Sequence, residues 1–252
     1  MPGKHSVNLA KDPWNTFISA FSRTDLPVIT FTELMLALGI VTALSIPRQS
    51  WKYVGLLATA THELGHAFAA VTSGQRLSGI RLRFDHSGTT TTYSRSKLAT
   101  VWSCFWGYPV PAIVGAAFVW CGFNGWGPGA LAVSTVALAA TLLFLRNPAG
   151  FLITIAAIGG NIALIFLVPA GFVGHVSVIL GLVLLVGAVR DLIKLTLVHL
   201  RRRDRLASSD AYLLYRATAV PSVVWILLFT VLVGGSWLVA WQPISAVLPA
   251  GV

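Results

Sequence analysis

The sequence predicts an all-α integral membrane protein, a bundle of about seven transmembrane helices with one β-hairpin after the second helix. Three observations predict it. Of 252 residues, 56% are hydrophobic and only 10% charged, with a mean hydropathy of +0.77, whereas a soluble domain carries about a quarter charged residues. Apolar runs long enough to cross hydrocarbon recur between Gly, Pro and basic breaks. One stretch, 77–93, departs from this pattern and alternates with period two.

Residues 1–30 are expected to form an N-terminal cytoplasmic segment. Positions 1–25 lack a continuous apolar core and a small-residue cleavage site, so they are not read as a signal peptide. Asp12-Pro13 starts a helix, and Trp14, Phe17, Ile18 and Phe21 follow at i, i+3, i+4 and i+7. Such a helix either lies in the membrane interface or docks on the bundle.

Residues 31–245 form a single transmembrane domain, with spans expected at 31–46, 51–71, 98–120, 129–145, 149–168, 172–200 and 211–241. Pro109, Pro111, Gly159, Gly160 and Pro221 fall inside them, where neighbouring helices can satisfy the freed backbone. Between the second and third spans, Ile80, Leu82 and Phe84 alternate with Arg81 and Arg83. Asp85-His86-Ser87-Gly88 supplies a turn, and the threonines up to Tyr93 supply a return strand.

The net charge of +10 is distributed as a topology signal, which excludes a nucleic-acid partner in favour of the lipid bilayer. Lys4, Lys11 and Arg23 precede the first span. Arg76, Arg81, Arg83, Arg95 and Lys97 follow the second, Arg146 the fourth, and Arg201, Arg202, Arg203 and Arg205 the sixth. Loops 121–128 and 169–171 and the C-terminal tail carry no charge. A multi-pass protein with its N-terminus cytoplasmic and its C-terminus outside satisfies this arrangement, Arg48 and Lys52 excepted. Cys104 and Cys121 flank one apolar run about 25 Å apart along a helix, too far to pair.

Of eight acidic residues, only Glu63 and Asp191 lie well inside apolar spans, where an ionisable group normally has a partner and a role. Glu63 belongs to Thr61-His62-Glu63-Leu64-Gly65-His66. Residues four apart share a helix face, so His62 and His66 can offer two imidazoles to one zinc ion, with Glu63 beside them as a base for water. Gly65 leaves room for a neighbour to approach. A third protein ligand is required, and Asp191 is the candidate; its alternative role is a local ion pair with Lys194 or Arg190. Asp210 competes, although Ser208-Ser209-Asp210-Ala211 also reads as an ordinary helix cap. His86 belongs to the hairpin turn, His199 to a helix end and His175 to the outer mouth of the sixth span, while Asn161 is expected to hydrogen-bond between helices.

With these residues in place, the sequence resembles the site-2-protease-like intramembrane zinc metallopeptidases, in particular a compact bacterial and plant branch. Four stretches carry the resemblance: 61–70 (THELGHAFAA) with the hairpin; 107–115 (GYPVPAIVG); Arg146-Asn147-Pro148 with Gly150; and Arg190-Asp191-Leu192 through Ser209-Asp210-Ala211 to Pro221 and Trp225. The resemblance implies a membrane-embedded zinc endopeptidase with His62 and His66 as ligands and Glu63 as catalytic base. Better-known members carry the third ligand in an Asp-Gly pair, which this chain lacks, and Val110 stands where the branch more often has Gly.

The resulting expectation is zinc held by His62, His66 and Asp191, with Glu63 taking a proton from the water. The substrate is a membrane-spanning or membrane-adjacent protein segment held as an added strand along 80–84. The rival is a non-proteolytic metal-binding membrane scaffold or transporter, against which the glutamate between the histidines argues.

Overall fold

Prolines stand at most of the breaks between the apolar helices: Pro47, Pro109, Pro148, Pro169 and Pro221 each precede or open one. The computed structural model describes residues 12–201, 206–207 and 209–249. Lys4, Lys11, Arg202, Arg203 and Arg205, on which part of the charge pattern rests, lie outside the described residues. Among the described residues, ten helices and two strands follow in order: α1 Pro13–Ser19, α2 Phe31–Ser45, α3 Arg48–Thr72, β1 Arg76–Leu82, β2 Gly88–Tyr93, α4 Lys97–Phe105, α5 Pro109–Phe123, α6 Gly127–Thr141, α7 Pro148–Leu167, α8 Ala170–Arg201, α9 Asp210–Thr218 and α10 Ser222–Ser245. The protein is a multi-pass membrane protein, mostly helical, with one antiparallel hairpin.

Among the described residues, α7, α8 and α10 are each long and apolar enough to cross a membrane. The α2/α3 and α4/α5 pairs, bent by 97° and 49°, raise the total to five at most, and α6 is a shorter apolar helix. The expected count of about seven spans is therefore not confirmed. The expected span at 98–120 breaks at 106–108, because Pro109 and Pro111 have no N–H for the carbonyls four residues earlier. The expected span at 211–241 breaks at Ala219, whose φ of 62° caps α9 in the left-handed region, and at Pro221, which precedes α10.

The centre of the bundle is the antiparallel pair α5 and α8. A Cβ added at Gly115 would lie 2.7 Å from the Gly181 carbonyl oxygen, and one added at Gly122 would lie 2.6 Å from that of Gly174. Only glycine permits this approach. Leu131, Val173 and Phe118 fill the adjoining core, and Asn161 donates to Ser134 Oγ at 2.8 Å between α7 and α6, as expected. Leu152 and Ile155 on α7 and Leu227, Val231 and Leu238 on α10 are exposed, as a lipid-facing surface requires.

The helix α2 runs in the same direction as α8. Pro27 packs on Gly174, Glu33 pairs with His175 at 3.4 Å, and Arg190 donates to the carbonyl of Ser45 at α2's end. The chain then turns by 97° and α3 crosses the bundle at the level of Gly187, whose added Cβ would lie 2.7 Å from Ala58. The Arg190 guanidinium lies 4.3 Å over the Trp51 ring.

The segment ahead of α2 and the end of α10 lie toward one end of the bundle. Thr24 N–H donates to the Gly125 carbonyl at 2.9 Å and Arg23 Nε to that of Asn124 at 3.0 Å. The segment ahead of α2 thus sits at the α5–α6 turn. The helix α10 starts beside Phe105 and Tyr108 and packs along α5 toward the same end. By length and composition the bent α2/α3 pair makes at most one span, where the sequence suggested two. Arg48 and Lys52 follow this bend, which lies beside Arg190.

Candidate metal centre and the strand above it

The four-residue spacing places His62 and His66 on one face of α3, with their Nε2 atoms 3.1 Å apart. His66 Nδ1 lies 2.7 Å from the Ser103 carbonyl at the end of α4. A carbonyl only accepts, so Nδ1 carries the proton and Nε2 presents its lone pair. The His62 ring meets Tyr108 edge to face at 4.8 Å, and Tyr108 stacks on Phe229 at 5.2 Å, which fixes the imidazole's attitude.

The third side chain at the two histidines is that of Asp210. Ser209 caps α9 by accepting from Tyr212 N–H at 3.2 Å, and the next residue projects Oδ2 to 3.3 Å from His62 Nε2 and 3.2 Å from His66 Nε2. Neighbouring donors around a tetrahedral ion with bonds of about 2.0 Å lie about 3.3 Å apart, so a triangle of 3.1, 3.2 and 3.3 Å fits zinc. The space facing it is kept clear by Gly107, where an added Cβ would run into the Nε2 atoms of both histidines. Among the described residues, these three form the group of His, Cys, Asp and Glu side chains able to share an ion.

Asp191, expected as the third ligand, is not in this group. It stays half-buried on α8, and no hydrogen bond or ion pair engages it among the described residues. The expectation took the segment after α8 to stay at the membrane surface. At about 1.5 Å per residue the 32 residues of α8 rise about 48 Å, well past the roughly 30 Å of hydrocarbon. The chain doubles back alongside α8's last turns. Ala211 and Leu214 pack against Leu195 in one buried cluster, and His199 Nε2 lies 3.4 Å from Ser209 Oγ. That return brings Asp210 to the histidines. The signal was present in the sequence, where Ser209 is the cap that leaves Asp210 free.

Glu63 is 5% exposed and lies under the hairpin. Thr90 Oγ1 donates to Glu63 Oε2 at 2.6 Å, and a Cβ at Gly88 would overlap the Glu63 carboxyl group. Gly65 performs the expected service: its added Cβ would lie 2.5 Å from the Trp106 carbonyl oxygen, so the α4–α5 break can rest on α3. The hairpin tip is held by His86, whose left-handed φ of 64° turns its ring onto α3, with Nε2 3.2 Å from the Lys52 carbonyl. Hydrogen bonds from the Ser87 hydroxyl at 2.6 Å and N–H at 2.9 Å lower the Asp85 pKa below its ordinary value.

The hairpin edge expected to be open is closed. Ile80 N–H donates to the Phe144 carbonyl at 2.8 Å and Arg146 N–H to the Ile80 carbonyl at 3.0 Å, a parallel bridge between Ile80 and Leu145. Asn147 clamps both backbone groups of Leu82, at 3.2 and 2.7 Å. Nothing local in the sequence signals this, since a three-residue bridge from a distant turn has no short-range signature. Both cysteines are free thiols, as their spacing implied.

A family model described as Peptidase M50B-like matches residues 35–240. No curated protein and no solved structure matches the chain.

Proposed function

Because the chain belongs to the Peptidase M50B-like family, of site-2-protease type, we propose that it is an intramembrane zinc endopeptidase acting on a membrane-spanning or membrane-adjacent protein segment. The observation that carries this reading is the convergence of His62, His66 and Asp210 beside a buried glutamate that none of them needs as a ligand. Zinc bound there supplies a Lewis acid for a peptide carbonyl and lowers the pKa of a water to about 7. Glu63 accepts a proton and returns it to the leaving amine. Thr90 holds the carboxylate through Oε2, and the Ser103 carbonyl holds the His66 tautomer. A purely structural site in a scaffold or transporter would require neither the base nor its threonine.

The substrate must be unwound, and an edge for it exists on β2. In an antiparallel ladder, opposed residues alternate between pairs that exchange both hydrogen bonds and pairs that exchange none. Ile80 and Leu82 direct their N–H and C=O groups to the 144–147 segment. Their partners Thr90 and Gly88 therefore point theirs outward. These two residues also touch Glu63, so a strand added at this edge runs past the catalytic carboxylate. The basic residues Arg76, Arg81, Arg83, Arg95, Lys97, Arg146 and Arg201 gather at this end of the bundle, which by the positive-inside rule opens the site to the cytoplasm.

The test is zinc analysis of purified protein together with cleavage of a reconstituted membrane substrate. About one zinc per chain, with cleavage lost on chelation and restored by zinc, is expected; cleavage that survives chelation would refute the mechanism. The edge has its own test. Thr90→Val and Thr90→Pro both lose the hydroxyl, but only proline loses the outward N–H. Thr90→Pro should cleave more slowly than Thr90→Val at unchanged zinc content. Equal rates would reject strand addition at β2.

A further inference from the structure

The end of α4 touches the candidate metal centre twice, first through the Ser103 carbonyl that holds His66 Nδ1. The next residue, Cys104, places Sγ 3.8 Å from Asp210 Oδ1 and 3.7 Å from the Asp210 carbonyl oxygen. Oδ2 is the atom that faces both histidines. We propose that Cys104 is a positioning residue that holds Asp210 Oδ1 and thereby aims Oδ2 at the metal. The proposal rests on the reading of His62, His66 and Asp210 as the ligand set.

A carboxylate turns broadly about its last torsion, so something beyond α9's backbone must choose which oxygen faces the ion. A thiol is a weak donor in water. Here it sits half-buried against Leu195, Ala211, Leu214 and Phe229, with Val101, Phe105 and Tyr108 closing the cluster, where little solvent competes for the carboxylate. The sulfur itself stands outside the donor group, so it serves the ligand instead of the ion. Both outer-shell contacts come from one helical turn because α4 ends at Phe105, ahead of the prolines. The break that prevents a straight span there is thus also what presents Ser103 and Cys104 to the two ligands.

The competing role is packing, since a buried cysteine also behaves as a small hydrophobe. Two substitutions separate the roles in the full-length protein. Cys104→Val keeps the apolar volume and loses the donor. Cys104→Ser keeps a donor and makes the cluster polar. Zinc affinity is read by competition with a chromophoric chelator, and folding by thermal melting without metal. Positioning predicts a zinc affinity lowered about 10–100-fold in Cys104→Val at near-normal melting temperature, with Cys104→Ser closer to wild type. Wild-type affinity in Cys104→Val would overturn the proposal. So would a thiolate-to-metal charge-transfer band in the cobalt-substituted protein, which would make the sulfur a ligand. Asp210→Ala serves as the separate check: if it keeps wild-type affinity, the ligand set is wrong, whatever the cysteine variants do.

Discussion

Glu63→Gln should lower cleavage by about 10²–10⁴-fold, the usual contribution of a positioned acid–base group, while zinc content stays that of the wild type. Glutamine has the glutamate's shape and keeps an acceptor for Thr90 Oγ1, now at 2.6 Å from the carboxylate. The packing between α3 and β2 is therefore preserved. What disappears is the ability to take a proton, and Glu63 lies outside the His62, His66 and Asp210 group, so metal retention is unaffected. Single-turnover cleavage and metal analysis on one preparation decide it. His66→Ala is the contrasting variant, since it removes a donor and should lose zinc and cleavage together. Undiminished turnover by Glu63→Gln would eliminate the proposed chemistry and leave a metal-binding membrane protein.

What the sequence conveyed, and what it withheld, follows the range of the interactions involved. The zinc motif is local: a four-residue helical spacing fixes His62 against His66 without reference to any other element. The hairpin was equally legible, because period-two alternation and the 85–88 turn are short-range signals. The bend between α2 and α3 was not, since Pro47 looks the same whether it ends an outer loop or starts a helix crossing the bundle. That single ambiguity bears on the number of spans and on where residues 23–27 sit, which is at the α5–α6 turn. The open edge was misplaced for a similar reason. Alternation identified both strands of the hairpin, but which of them pairs with Leu145 and Asn147 depends on a contact more than sixty residues away.

Asp210→Ala should lose zinc and cleavage, whereas Asp191→Ala should keep about one zinc per chain and a measurable rate. The depth argument from sequence favoured the opposite result, because rise per residue puts Asp191 level with His66 and leaves Asp210 beyond the basic cluster. Level is not contact, however. Asp210 Oδ2 lies within 3.3 Å of both imidazole nitrogens, and a zinc site left with two imidazoles falls below the three protein ligands a catalytic site uses. The loss of affinity should exceed the about 10–100-fold expected for an outer-shell change. Stability is a minor concern, since an acidic residue in a helix's first turn contributes about 0.3–1 kcal/mol and Ser209 still caps α9. Asp210→Asn, which preserves shape and removes the charge, guards against misfolding as the explanation and should also bind zinc weakly. Asp191 makes no hydrogen bond or ion pair among the described residues, and Arg190 alone holds the carbonyl of Ser45, so removing the Asp191 carboxylate should leave the site occupied. Zinc lost in Asp191→Ala and kept in Asp210→Ala would mean that the ligand set draws on α8 and that α9 docks only as a lid over it.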